Sequence, residues 1–151
     1  MYQAGFPAMN RIGMPATRTV LTDLVVDLVV AGGPPLPVTS QLSFAQYDPF
    51  AVTLRFLVDG DQWVTWNFAR ELLERGITAA SGEGDVQIWP GERDGARCIF
   101  LHTSSPHGAA TFVVALPTVV EFLLGTFALV PSGAESDFLD VDGELADFLA
   151  S

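Results

Sequence analysis

AVTLRFLVDGDQWVTWNFARELLERG, residues 51–76, holds two strands, the turn that joins them and the helix they lead into. Val52, Leu54, Phe56 and Val58 alternate with Thr53, Arg55 and Leu57, and a period of two puts the first set on one side of a strand. Asp59, Gly60 and Asp61 are a tight hairpin signal, and Gln62–Phe68 then resumes the β pattern. Trp63 and Trp66 are an odd number of residues apart, so they fall on opposite faces, one suited to the core and the other to a partner. From Ala69 to Arg75 the residues are good helix formers, Glu71 and Arg75 pair at i to i+4, and Gly76 stands where a left-handed C-cap belongs.

Upstream, Thr19–Ala31 is rich in β-branched residues and stops at Gly32, Gly33, Pro34 and Pro35, as a strand followed by a turn does; Asp23 and Asp27 share one of its faces. Leu36–Ala45 alternates and makes a second strand, so residues 19–68 form a four-strand meander that ends in a helix. Downstream the order repeats. Ile77–Ala80, Asp85–Trp89, Arg97–Thr103 and Ala109–Leu116 read as strands between glycine- or proline-containing turns. Pro117 suits the first turn of a closing helix that carries Val120, Leu123, Leu124 and Phe127 at helical spacing. The expectation is an α+β fold of two antiparallel four-stranded sheets with helices, strand-strand-strand-strand-helix written twice.

Both ends of the chain differ from this middle. Met1–Arg18 has glycines, prolines and three methionines without a sustained period, and reads as a flexible leader to a single domain over residues 19–151. Residues 134–151 hold six acids and no base, with Phe138, Val141, Leu145, Phe148 and Leu149 at spacings that predict an acidic, amphipathic terminal helix. Those six acids are more than half of the net charge of −11, so the imbalance belongs to one element more than to the whole surface. An apolar stripe of this kind is buried on its own domain, on a neighbouring subunit or in a partner's groove.

The charge excludes some partners. All seven bases are arginine and eighteen residues are acidic, which opposes the counterion release that nucleic-acid binding depends on. The longest stretch without charge, Cys98–Val120, contains two histidines, two prolines and several hydroxyls, so it is not a membrane span, and direct membrane insertion is not expected. A single cysteine and the absence of a secretory signal pattern make the cytoplasm the default location.

Reactive groups are sparse. His102 and His107 flank a polar turn, and a metal site needs further ligands that no paired CxxC or HExxH supplies. Gly82-Glu83-Gly84 lacks the spacing of a phosphate loop, and its acid repels phosphate. Cys98 sits in an apolar strand and suits inert burial. No nucleophile elbow is present and nothing pairs two carboxylates for glycoside hydrolysis, so no catalytic, cofactor-binding or metal-binding residue is assigned and no cofactor is expected.

Several ordered blocks resemble the SsgA-like family of sporulation and cell division regulators of actinobacteria. They are YDPFAV at 47–52, WNFARELLERG at 66–76, GEGDVQIWP at 82–90, the turn at 101–108 with SSPHG, and FLDVDGEL in the acidic end. The resemblance implies a whirly-like fold and a homotrimer. It also implies a non-enzymatic role at division septa during sporulation, where the protein localises or recruits the division machinery built on FtsZ or its membrane recruiters. For such a role the candidate partner contacts are Arg70, Glu71, Trp66, Phe138, Leu145 and Phe148, with Trp66, Phe68 and Leu72 also expected to build core beneath the first helix. The whirly-like shape carries an alternative, a single-stranded nucleic-acid-binding protein, which would need a basic groove interleaved with aromatics.

Overall fold

A computed structural model describes residues 18–139 of the protein. The first meander comprises β1 (Thr19–Leu28), β2 (Leu36–Ala45), β3 (Asp48–Val58) and β4 (Gln62–Ala69), and passes directly into α1 (Arg70–Gly76). The second comprises β5 (Ser81–Glu83), β6 (Val86–Arg93), β7 (Ala96–Ser105) and β8 (Gly108–Ala115), and passes into α2 (Leu116–Leu129). A short 3-10 turn at Glu135–Phe138 follows.

The expected pair of four-stranded sheets is one sheet of eight, in the order β4-β3-β2-β1-β8-β7-β6-β5. The two meanders are joined where β1 pairs antiparallel with β8 through Asp27 opposite Val113 and Leu28 opposite Phe112. The Val29 N–H also donates to the Thr111 carbonyl at 2.9 Å. This joint unites strands more than eighty residues apart in the chain, so no turn signal announces it. The sheet is strongly curled. β3 and β8 are three strand spacings apart, about 14 Å on a flat sheet, yet Phe56 and Phe112 stack with ring centroids 4.1 Å apart. The inner faces of the two meanders therefore close on each other. Val26, Leu42, Leu54, Ile88, Ile99 and Leu101 fill the space between them, with Leu73 of α1 and Phe122 of α2.

Two turns share one chemistry. Asp59 and Gly60 of the three-residue turn at 59–61 both have positive φ (52° and 84°), as do Asp94 and Gly95 (52° and 78°), whose two-residue hairpin between twisted strands requires that backbone. The second of these lies later than expected, because β6 continues through Pro90 and Gly91 where a break is predicted. The last β5–β6 pair is Ser81 opposite Ile88, so Pro90 has no neighbour on the β5 side, the situation in which a strand tolerates proline. Gly91 is there for space: a Cβ would lie 2.3 Å from Cε2 of Phe100, whose ring Trp89 also stacks against at 5.6 Å.

The helix boundaries differ from expectation for similar reasons. Ile77 keeps helical angles, and Ile77, Thr78 and Ala79 donate back to the last α1 carbonyls, so residues 77–80 extend the helix end and the strand starts at Ser81. Gly76 does not adopt a left-handed C-cap. It is buried against Ile88, whose Cγ2 would lie 2.3 Å from a Cβ there. In α2 the buried residues are Val119, Phe122, Leu123 and Thr126, whereas Val120 and Leu124 of the expected stripe are exposed. The helix is apolar almost all round, so its sequence does not single out a face. The start of the expected acidic helix is instead the 3-10 turn followed by extended Leu139. Val141, Leu145, Phe148 and Leu149 lie outside the described residues, as does the leader through residue 17.

Candidate functional site

Arg70 begins α1, where its side chain turns inward and is 1% exposed. Its Nη1 donates to the carbonyls of Val130 at 2.7 Å and Thr126 at 3.3 Å, and to Thr126 Oγ1 at 3.4 Å, while Nη2 donates to Glu135 Oε2 at 2.7 Å. The guanidinium lies over the rings of Phe127 and Phe44, 4.6 and 5.0 Å from their centroids. The last turn of α2 has no base of its own, so Arg70 supplies from another element the positive charge and the donors that a helix C-terminus leaves unmatched. The hydrogen bond from Arg70 also holds the Glu135 carboxyl below the usual carboxylate range, reinforced by Glu135's own backbone N–H. Arg70, expected among the partner contacts, is thus an internal fastener that ties α1, α2 and the segment after it to one point. Sequence reading missed Glu135 as its counterion, since the two are 65 residues apart.

Directly beside this corner the curled sheet is open along an edge. A cleft of about 600 Å³ runs between β4 and the β5–β6 turn. Trp66, Asn67, Phe68 and Ala69, four successive residues from both faces of β4, border one side, so the cleft follows the edge of that strand. Glu71, Leu72 and Arg75 of α1 flank it, and Gly82, Asp85 and Val86 form the far side. Of the expected partner contacts, Glu71 and Trp66 are therefore brought together here. Glu71 is exposed and bonds Arg75 at 3.0 Å, whereas Trp66 is half-buried with one side on the core. Phe138 is half-buried against the core and does not border this cleft, and Leu145 and Phe148 are outside the described residues.

Among the described residues, no helix packs on the outer face of β1–β4. Leu21 and Val25 are 53% and 62% exposed on it, alternating with Asp23 and Asp27. Gln41 donates to Asp23 at 2.9 Å and Thr53 to Asn67 at 2.7 Å, while Arg55 lies 4.1 Å over the ring of exposed Trp63. Trp63 and Trp66 do divide between the two faces, as their spacing requires.

Among the described residues the reactive groups do not converge. His102 Nδ1 is 2.8 Å from Thr111 Oγ1 on the sheet, while His107 is exposed in the β7–β8 turn. Among the described residues no cluster of histidine, cysteine and acids could hold a metal ion. Cys98 is buried, and burial pushes its thiol up against the opposing pull of Arg93. Glu71 and Asp85 both border the cleft, yet both are exposed, and neither has the apolar enclosure of a general acid.

Comparison with known proteins bears on the same question. The family described as "Streptomyces sporulation and cell division protein, SsgA" matches residues 38–135. A sporulation-specific cell division protein SsgB of Frankia casuarinae is 41% identical over 128 residues, covering 85% of this chain and 90% of that protein. The SsgB of Thermobifida fusca is 40% identical over 138 residues, covering 91% of this chain and all of that one. A crystal structure of an SsgA-like sporulation-specific cell division protein from Thermobifida fusca superposes with a TM-score of 0.80 at 38% identity, over 89% of this chain and 98% of that one. A structure from work on SsgB mutations that correlate to longitudinal cell division in Streptomyces coelicolor gives 0.81 at 35% identity, over 84% of this chain and 100% of that one.

Proposed function

The chain belongs to the SsgA family of sporulation and cell division proteins, and from that premise we propose that it is a non-enzymatic adaptor that localises or recruits the septation machinery at sporulation septa. Its curated relatives carry the name sporulation-specific cell division protein, and a role in sporulation cell division follows for this chain. The adaptor mechanism is supported most by one observation: the cleft along the β4 edge is bordered by aromatic and exposed charged side chains and encloses none of the described reactive groups. A rigid sheet with an uncovered outer face and an open edge can hold two proteins at once, which is what an adaptor does. Within this reading the machinery is the FtsZ-based divisome or its membrane recruiters, and the uncovered face of β1–β4 joins copies of the chain into a homotrimer.

Single-strand nucleic-acid binding, the alternative that a whirly-like shape suggests, has little to support it. Arg70 is buried, Arg75 is bonded to Glu71, Arg55 is stacked on Trp63, Arg93 and Arg97 share one hairpin with Glu92 and Asp94, and Arg18 stands apart just before β1, so no basic groove is assembled among the described residues. The test is genetic. In a sporulating actinobacterium lacking this chain's gene, the adaptor reading expects sporulation septa to be lost and to return with a fluorescent fusion that gathers at them. Normal septa in the deletion strain, or a rescuing fusion spread evenly through the hypha, would refute it.

A further inference from the structure

The two edges of the curled sheet are built differently. β5, at one end, is three residues long, the short kind of edge that offers little to pair with. β4, at the other, is eight residues long, and its register against β3 runs without a bulge from Ala51 opposite Ala69 to Val58 opposite Gln62. Its sequence, QWVTWNFA, has no charge and no proline, and Val64 is 42% exposed. Proteins protect a long edge with lysine, proline, a bulge or a covering element, because its unpaired N–H and C=O groups otherwise template another strand. β4 has none of the first three, and among the described residues β3 is its sole hydrogen-bonded neighbour. The open cleft lies on the side that β3 leaves free.

We propose that the β4 edge is a docking site for an extended, basic segment of a partner protein, which adds a strand along β4 and enters the cleft beside Trp66–Ala69. Main-chain pairing with residues 62–68 supplies the affinity, as in other strand-addition complexes. Charge selects the occupant. Asp59 and Asp61 stand at one end of β4, Glu71 and Asp85 at the other, and the one base bordering the cleft, Arg75, is taken up by Glu71. The same charges disfavour a second copy of this chain. β4 paired with β4, parallel or antiparallel, brings acids beside acids at both ends, whereas lysine or arginine at the ends of an incoming strand meets them. The proposal rests on the adaptor reading and specifies the chemistry of what is adapted.

The probe is a display library of random twelve-residue peptides selected on the full chain, followed by synthetic copies of the enriched sequences. The expected result is enrichment of peptides with a net positive charge and β-branched residues. Their binding slows amide exchange in residues 62–68 and weakens about three- to tenfold in an E71Q/D85N variant, the range for losing two exposed charge pairs. N-methylation of alternate peptide amides, which removes donors without altering charge, abolishes binding. The proposal is overturned if no peptide is enriched, if enriched peptides lack the basic excess, or if protection falls elsewhere. It is also overturned if residues 62–68 of the chain alone gain protection as its concentration rises, which would make a second copy the occupant. The two readings fail separately. Peptides that bind β4 in a chain that does not restore septation count against the adaptor alone, and septation restored by a chain that binds none counts against the docking site alone.

Discussion

Replacing Arg70 by methionine tests the fastening of the helical corner. Methionine fills the slot between Phe44 and Phe127 without opening a large cavity, so the change isolates the loss of charge and donors. It strips the Val130 and Thr126 carbonyls of the guanidinium and leaves the Glu135 carboxylate, only 18% exposed, without its counterion. Breaking a buried pair by removing one partner costs about 3–5 kcal/mol. Thr126 Oγ1 keeps its bond to the Leu123 carbonyl at 2.8 Å, and Glu135 can turn toward water, so the lower end, about 3 kcal/mol, is expected for R70M. With a urea m-value of about 2 kcal/mol/M, that is a fall of about 1.5 M in the midpoint, read by tryptophan fluorescence. R70A adds a cavity and falls further; R70K keeps the charge but not the fork and lies between. In an R70M/E135Q double variant the two losses add to less than their sum, because both break one interaction. An R70M midpoint within 0.3 M of the unaltered chain, or strict additivity in the double variant, would refute the fastener.

Three further outcomes follow from other contacts. Glu135's carboxyl is held below its unfolded value of about 4.3, so its contribution is complete above that pH and is lost as pH falls through the folded value; E135Q should cost about 1–2 kcal/mol at pH 7, with the gap to the unaltered chain closing in urea titrations below about pH 4. Gly76→Ala places a Cβ 2.3 Å from Ile88 Cγ2 and should cost about 1–3 kcal/mol, and if the clash is the cause, the losses from G76A and I88A measured in thermal melts should combine to less than their sum in the double variant. Glu71→Ala removes an ion pair whose side chains are 73% and 64% exposed, and should change stability by less than about 0.5 kcal/mol, so any larger loss of septal function in that variant reports on a partner rather than on folding.

Legibility in the sequence followed locality. The alternation of Val52, Leu54 and Phe56, the Asp59-Gly60 turn and the Glu71–Arg75 pair are all decided by residues within a few positions, and each is present as read. The β1–β8 joint and the Arg70–Glu135 bond link residues more than sixty positions apart, and nothing nearby in the chain marks them. Glycine misled in two places because it serves two purposes. Gly76 and Gly91 read as a cap and a break, yet each is required because a neighbouring side chain, Ile88 or Phe100, occupies the space of a Cβ. Arg70 misled because charge suggests surface, and only the carbonyls at the end of α2 make burial favourable. Trp66 and Glu71 were legible as candidates, but the cleft that brings them together exists only once the sheet curls.

The adaptor reading is tested most directly by order of arrival. Time-lapse imaging of this chain and FtsZ, each fluorescently tagged in one sporulating hypha, should show this chain at future septa before FtsZ collects there, and no FtsZ ladders when its gene is deleted. FtsZ assembling first, or forming regular ladders without this chain, would contradict the account.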